Sequence, residues 1–430
     1  MSQAQATELA EQCCCQTEEQ ARMIKILYRR SGVSNRHIIV PYKTALAWRG
    51  DTSSQGELAV GGGGSSNGVA IDGGLGRSTL ERMLDYEKYA GPLALNAASR
   101  ALENSGVAPS EITHLVTVSC TGFCSPGVDI ELISGLGLPA TVERVHVGFM
   151  GCHGAINGMR TALALTTADP NARVLLTAVE LCSLHYRFQW DPDRFLGNAL
   201  FADGAAAIVG GPASSGDKLR SSSVARLNGA ANGHAHAGAN GHVATNGHAG
   251  SGHAENGHAQ NGNVVNGQSA TNGHAAANGH ASHGDSDNDE PLRVLATGSC
   301  LLPNSRDGIS WRVGDHGFEM MLSARVPDII AANLRPWMEQ WLGSQGLSLA
   351  DVGSWAVHPG GPRILSAVEE SLGGDRSLTA VSRDILNRYG NMSSPTVLFI
   401  VDQLRRMRAP RPYVALAFGP GLAAEAALLG

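Results

Sequence analysis

What the sequence lacks narrows it first. Aromatic residues make up only 5% and charged residues 16% of the 430 positions, and the charge is of mixed sign with a formal net of −6. No basic stripe or basic tail stands out, so the chain offers no electrostatic footprint for a DNA or RNA partner. No uninterrupted apolar stretch is long enough to span a bilayer, and the opening MSQAQATELAEQCCCQTEEQ has no basic segment followed by an apolar run. Together these absences predict a cytoplasmic protein without a membrane span. A disulfide framework is missing too: the eight cysteines include a run at Cys13, Cys14 and Cys15 and a Cys120/Cys124 pair, which predicts reduced thiols. Neither group has a second pair at ligand spacing, so no metal site is expected.

What is present is a core. A hydrophobic content of 43% over this length is enough for a substantial core in one large or two fused domains, and the strand and helix patterns along the chain read as an α/β fold. Residues 1–20 read as a flexible N-terminus and 21–213 as a first folded half. Within it, a helix with a capping box at Ser78 and Glu81 leads into EITHLVTVSCTGF, a buried strand ending near Cys120. GGGGSSNG, within residues 50–76, reads as a flexible loop. From 214 to 290 the composition collapses to imperfect NGHA repeats that hold nine of the 16 histidines. Such a tract cannot bury enough apolar surface to offset its ordering entropy, and it reads as a disordered insertion. Residues 291–430 form the second half.

The first half is organised around VHVGFMGCHGAINGMRTALAL. Val145, Val147 and Phe149 alternate as in a strand, read as buried, and Ile156, Met159 and Leu163 recur at helical spacing. Cys152 therefore sits near a helix N-terminus, where unpaired N–H groups and the helix dipole favour a thiolate nucleophile. The second half repeats this logic. SWAVHPGG is a strand ending at His358, and YGNMSSPTVLFIVDQLRR is a turn into a helix that opens at Asn391. From Cys120 to Cys152 is 32 positions, and from His358 to Asn391 is 33. This matching spacing points to an internal duplication, two pseudo-symmetric βαβ-rich halves that bring Cys152, His358 and Asn391 to one pocket. An imidazole can serve a cysteine nucleophile, and with an Asn amide it can stabilise an enolate or oxyanion beside it. Lys25, Arg29 and Arg30 cluster on one predicted helix, either as a solvated face or as a phosphate-facing rim.

At these residues the sequence resembles the type III polyketide synthases, the chalcone/stilbene synthase family of the thiolase fold. The matching motifs are GCHGAINGMR around Cys152, GNALFADGAAA from Gly197 through Phe201, WAVHPGGPRIL around His358, GNMSSPTVLF around Asn391, and FGPGLAAEAALL. The resemblance implies duplicated αβαβα layers and a homodimer. It also implies an acyltransferase with no cofactor beyond its coenzyme A thioester substrates. An acyl-CoA starter would load on Cys152, malonyl-CoA would be decarboxylated at His358 and Asn391, and iterative Claisen condensation and cyclisation would follow. Phe201 matches the family's gatekeeper, and Met320 replaces the second gatekeeper phenylalanine. Cys120, Cys182 and His185 stand where chalcone-forming members carry hydroxyls, while Thr121 and Ser393 keep theirs. Arg30 aligns with a coenzyme A-binding position, with Lys25 and Arg29 beside it.

A Cys- and Met-lined cavity suits an aliphatic chain, so the expected starter is a medium- or long-chain fatty acyl-CoA giving an alkylpyrone or alkylresorcinol. His185 argues for a shorter cavity. Alternatives are a chalcone-type synthase with an aromatic starter, a single-condensation β-ketoacyl-carrier-protein synthase III, a papain-like peptidase and a non-catalytic scaffold. The duplication and the FGPG ending speak against a peptidase, and the intact Cys, His and Asn set speaks against a scaffold.

Overall fold

A strand that is buried at every position is covered on both faces, because successive side chains point to opposite sides of the sheet. HLVTVS, VLLTAVEL and YVALAFG are such runs, and their burial fixes the architecture. The structure is a computed structural model that describes residues 1–40, 76–191, 195–212 and 291–430. Residues 1–222 with 292–430 form one unit and 223–291 a second. The expected disordered insertion and the glycine-rich loop before Gly76 lie outside the described residues.

The first half comprises α1 (Gln3–Cys14), α2 (Glu18–Arg30), α3 (Thr79–Ser105), β1 (His114–Ser119), α4 (Val128–Leu136) and β2 (Glu143–Gly148), then α5 (Gly154–Ala168), β3 (Val174–Leu181), α6 (Phe195–Leu200) and β4 (Asp203–Gly210). The second comprises β5 (Val294–Leu301), β6 (Ile309–Gly314), β7 (Gly317–Leu322), α7 (Val326–Ser344) and β8 (Ser354–Val357), then α8 (Pro362–Leu372), α9 (Ala380–Tyr389), α10 (Pro395–Arg406), β9 (Tyr413–Gly419) and β10 (Ala423–Leu429). One sheet runs β2-β1-β3-β4 and the other β5-β10-β9-β8.

The shared unit is a parallel pair followed by an antiparallel strand: β1, β3 and β4 in the first sheet, β8, β9 and β10 in the second. Its first pairings, His114 with Val174 and Ser354 with Tyr413, span 60 and 59 positions, so the halves keep nearly the same spacing. Alternation then builds five layers. Leu175 and Val179 of β3 pack outward with Ala90, Ala94 and Ala98 of α3. Leu176 and Ala178 pack inward with Ile156 and Met159 of α5 and Val397 and Ile400 of α10. On β9, Ala415 and Ala417 join that central layer, whereas Val414 and Leu416 pack with Ile330 and Leu334 of α7 and Leu365 and Val368 of α8. The order is helix, sheet, helix, sheet, helix, with the two central helices between the sheets.

Three expectations change. Residues 3–14, expected to be flexible, form a helix capped at Ser2 with Gln5 completing a capping box, and Ala6, Leu9, Ala10, Cys13 and Cys14 form its buried stripe. Strand β2 is an edge strand, so its apolar residues are not buried as expected, and Val145 is 39% exposed. Asn391 does not open a helix: α10 begins at Pro395, where the ring suits the first helical turn, and Asn391 lies in the extended approach to it. Among the described residues no helix is long and apolar enough to cross a membrane.

Candidate active site

The link between β2 and α5 turns sharply because two residues adopt the left-handed region, Phe149 at φ 58° and Gly151 at φ 66°. A bulky residue held there costs about 1–3 kcal/mol, so packing around it has to hold the turn. Gly151 is also confined in space, since a Cβ would come within 2.8 Å of Pro420 Cδ. Cys152 follows in the short 3-10 turn Gly151–His153 that precedes α5. The side chains of Ser393 and Asn391, acting as hydrogen-bond donors, lower the Cys152 thiol. Burial nonetheless pushes the thiol up to about 11, and the nearby Glu180 carboxylate adds to the rise. Burial therefore works against the thiolate that the helix start favours.

His358 follows β8, fixed by its main-chain N–H, which donates to Leu416 O at 2.7 Å. The side chain is 1% exposed, and neither ring nitrogen has a hydrogen-bond partner. Burial holds the imidazole down to about 3, with neighbouring His153 lowering it further, so it is neutral. Asn391 is pinned by its backbone: its N–H donates to Leu200 O at 2.9 Å and its carbonyl accepts from Ala202 N at 2.9 Å. Phe201, between those two residues, is thereby bridged to Asn391. The Ser393 N–H donates to Asn391 Oδ1 at 2.8 Å, which turns the amide NH₂ toward the Cys152 sulfur.

One cavity of about 690 Å³ is lined by Cys152, His358 and Asn391 together. Cys120, Thr121, Cys182, Phe201, Met320 and Ser393 line it as well. The other two thiols differ from Cys152. Cys120 Sγ lies 3.3 Å from Glu180 Oε1, and burial raises both Cys120 and Cys182 well above the ordinary thiol range. Of the three cavity thiols, Cys152 is the one that Ser393 and Asn391 both act to lower.

His185 and Gly197 line a different, adjoining cavity of about 820 Å³. His185 is a fixed wall there: Nε2 donates to Thr121 O at 2.7 Å, Nδ1 accepts from Phe318 N at 2.9 Å, and the ring stacks on Phe318. Lys25, Arg29 and Arg30 are exposed on α2, with Lys25 3.2 Å from Glu11, and none of the three lines either cavity.

Sequence reasoning missed Glu180 and Trp311. Glu180 is fully buried and accepts hydrogen bonds from Cys120 N, Thr121 N, Thr121 Oγ1 and Ser394 Oγ. Its signal was available, as the lone charge inside the apolar run VLLTAVEL. Trp311 sits opposite Met320 in the β6–β7 hairpin and lines both cavities. The alternating ISWRV and GFEMML around a short turn could have found that pair.

Two family models match the chain, the N-terminal domain of chalcone and stilbene synthases over residues 76–213 and their C-terminal domain over 294–430. The alpha-pyrone synthesis polyketide synthase-like Pks18 of Mycobacterium tuberculosis is 31% identical over 354 residues, covering 81% of this chain and 72% of Pks18. The 1,3,6,8-tetrahydroxynaphthalene synthase of Streptomyces peucetius is 27% identical over 432 residues, covering 100% of this chain and 89% of that one. The crystal structure of PKS-I from the brown alga Ectocarpus siliculosus superposes with a TM-score of 0.72 at 26% identity, covering 100% of this chain and 93% of that one. With both domain models matched in order on a duplicated, thiolase-like α/β fold, this chain belongs to the chalcone and stilbene synthase family and is a type III polyketide synthase.

Proposed function

We propose that the cavity loads an acyl-CoA starter on Cys152 and extends it with malonyl-CoA, His358 and Asn391 supplying the hydrogen bonds that the chemistry needs. The observation that carries this reading is the pair of unpartnered His358 nitrogens and the Asn391 amide, both in one otherwise apolar cavity with the Cys152 sulfur. A buried neutral imidazole can accept a proton at one nitrogen and donate from the other. In loading, the Cys152 proton passes to His358 as the sulfur bonds to the thioester carbonyl carbon, and the departing coenzyme A sulfur takes that proton away. In extension, malonyl-CoA loses carbon dioxide and the freed electron pair becomes an enolate. The enolate oxygen accepts from His358 and Asn391, and its carbon attacks acyl-Cys152 and expels the sulfur. Such preorganised donors in a dry site stabilise developing charge strongly.

Ile309, Leu322, Ile364 and Phe418 complete the walls. A medium- or long-chain fatty acyl starter suits them better than a phenol, and the product is an alkylpyrone or alkylresorcinol. The alpha-pyrone synthesis in the name of the mycobacterial relative supports the pyrone. His185 stands in the other cavity and so does not shorten this one. Coenzyme A itself remains outside, with its phosphates toward Arg30 and its neighbours Arg29 and Lys25, and no bound cofactor takes part. The same reading makes the enzyme a cytoplasmic homodimer. The unpaired edge β2, with exposed Val145, Phe149 and Met150 beside it, offers a surface for a second copy.

Product mass spectrometry with malonyl-CoA and a panel of starters tests the function. Alkylpyrones from fatty acyl-CoA are expected. Higher kcat/KM with p-coumaroyl-CoA, or product from malonyl-CoA alone, overturns the aliphatic reading.

A further inference from the structure

We infer that Arg36 is a positioning residue for the decarboxylation step: its guanidinium fixes the short stretch of main chain from which Asn391 hangs. This rests on the reading of Asn391 as a donor to the enolate. Asn391 has no helix of its own to hold it, since α10 starts only at Pro395. What holds it is the chain that ends α6, where Leu200 O accepts its N–H and Ala202 N donates to its carbonyl, both at 2.9 Å. The place of the amide is therefore set by how firmly that chain is held.

The last carbonyls of a helix have no partner within it, and α6 is only six residues long. Each of them here is satisfied from elsewhere. Gly197 O accepts from Phe201 N at 2.9 Å. Arg36 Nη1 donates to Asn198 O at 2.7 Å and to Phe201 O at 3.0 Å, and Nη2 donates to Ala199 O at 2.6 Å. One side chain thus holds Asn198, Ala199 and Phe201, and Asn391 takes the Leu200 carbonyl that lies between them. A planar fork of fixed donors can reach three carbonyls at once, which a lysine ammonium cannot do in one geometry.

The setting of Arg36 fits positioning rather than charge pairing. It is 2% exposed, and burial pulls the guanidinium down from the ordinary arginine range. Among the described residues no carboxylate bonds it: Asp203, whose charge it feels, uses its oxygens on Ile39 N, Ser183 N and Ser183 Oγ. A cation is costly to bury, and this one is spent on main-chain carbonyls. Gln3 of α1 holds it in turn, its Oε1 accepting from Nη2 and its Nε2 donating to Ala199 O at 3.1 Å. Arg36 lines the adjoining cavity and not the catalytic one, so it acts on the reaction through the main chain.

The experiment uses the full chain and reads two steps apart: carbon dioxide release from malonyl-CoA, and acylation of Cys152 by decanoyl-CoA, followed by intact mass. Arg36→Met keeps the bulk and loses every donor. It should cut decarboxylation about a hundredfold while loading falls no more than about threefold, because the penalty of a misplaced group falls on the step that uses it. Arg36→Lys, which keeps the charge but not the fork, should lie between Arg36→Met and the wild type. Gln3→Met removes only the support and should show the same split at smaller size. In the Asn391→Ala background Arg36→Lys should cost decarboxylation nothing further, since the amide it positions is already gone. A melting curve shows that each variant is folded, and Arg36→Lys with Gln3→Met is read in the same way if Arg36→Met is not. Wild-type decarboxylation in the folded variants, an equal loss in both steps, or a full additional loss in the Asn391→Ala background overturns the inference. Undiminished decarboxylation in Asn391→Ala alone, or a wild-type enzyme that takes no acyl group on Cys152, overturns the proposed function on which it rests.

Discussion

Glu180 and Gly419 stand at the same place in the two halves. Glu180 lies six residues beyond Val174, the β3 partner of His114, and Gly419 lies six beyond Tyr413, the β9 partner of Ser354. In the first half the carboxylate ties down the end of the neighbouring strand. It accepts from Cys120 N at 3.0 Å, Thr121 N at 3.1 Å and Thr121 Oγ1 at 2.8 Å. In the second half there is no side chain to do this, and His358, at the end of β8, keeps both ring nitrogens unpaired. Duplication thus delivers two strand ends to one cavity, both with bonded main chain, and leaves the His358 ring without a partner. Buried polar groups in folded proteins nearly always find partners. A ring left without any is where a substrate oxygen or a proton can be taken up.

The largest effect on this contrast comes from removing the nucleophile. Cys152→Ala should abolish starter loading and all product, because Cys120 and Cys182 are held as thiols by burial and Cys120 is engaged by Glu180. Acyl label on either of those two, with turnover persisting, would falsify the assignment. Next come the donors. Asn391→Ala should lose malonyl-CoA decarboxylation by about a hundredfold or more while Cys152 still becomes acylated. His358→Ala should slow both steps. Undiminished decarboxylation in Asn391→Ala, measured as carbon dioxide release, removes Asn391 from the enolate.

Much of this was legible in the sequence. The near-equal spacing of Cys120 to Cys152 and His358 to Asn391, 32 and 33 positions, reports the duplication, and two long apolar runs in each half report sheets buried on both faces. Ser78 and Glu81 mark the start of α3, and Gly106 in the left-handed region ends it. What could not be read was set by tertiary context. Val145 and Val147 look like any strand, and only sheet order makes β2 an edge. Helix periodicity in residues 3–14 is short and weak, and becomes a helix because Leu9, Ala10 and Cys14 join the core beside α2 and α3. His185 lines the adjoining cavity with Gly197, Phe201 and Met320, held there by hydrogen bonds to Thr121 and Phe318 that the sequence does not show. For Cys152 the sequence shows the helix start, which favours a thiolate, but not the burial that acts on the thiol in the opposite sense.

That thiol state can be measured directly. With Cys152 pushed up to about 11 and His358 held down to about 3, neither is charged at neutral pH in the free enzyme. Thiolate fraction rises with pH toward the thiol's own value. Alkylation of Cys152 by iodoacetamide should therefore climb through the alkaline range, and at pH 7 should run about a hundredfold slower than for an unperturbed thiol. The intact mass of Cys152→Ala isolates the signal. A plateau beginning near neutrality would mean that a thiolate–imidazolium pair already exists without substrate.

The smallest effect should come from the glycine side of the comparison. A Cβ at position 419 would run into His153 Cδ2 and lie 2.7 Å from Met150 O, closer than any packed carbon tolerates. His153 cannot simply rotate away, because its Nδ1 is held 2.6 Å from Asn157 Oδ1 at the start of α5. Gly419→Ala must then push on the turn that carries Cys152. Overpacking of this kind costs about 1–3 kcal/mol of stability, and a displaced nucleophile costs about a hundredfold in turnover at most. The loss should fall on kcat more than on KM, since the turn that is pushed carries Cys152. Removing the obstructing ring in Gly419→Ala/His153→Ala should recover most of the melting temperature, which a double-mutant cycle on the four proteins measures as a favourable coupling. If Gly419→Ala melts and turns over like the wild type, the second half does not need its missing side chain, and the contrast with Glu180 loses its meaning.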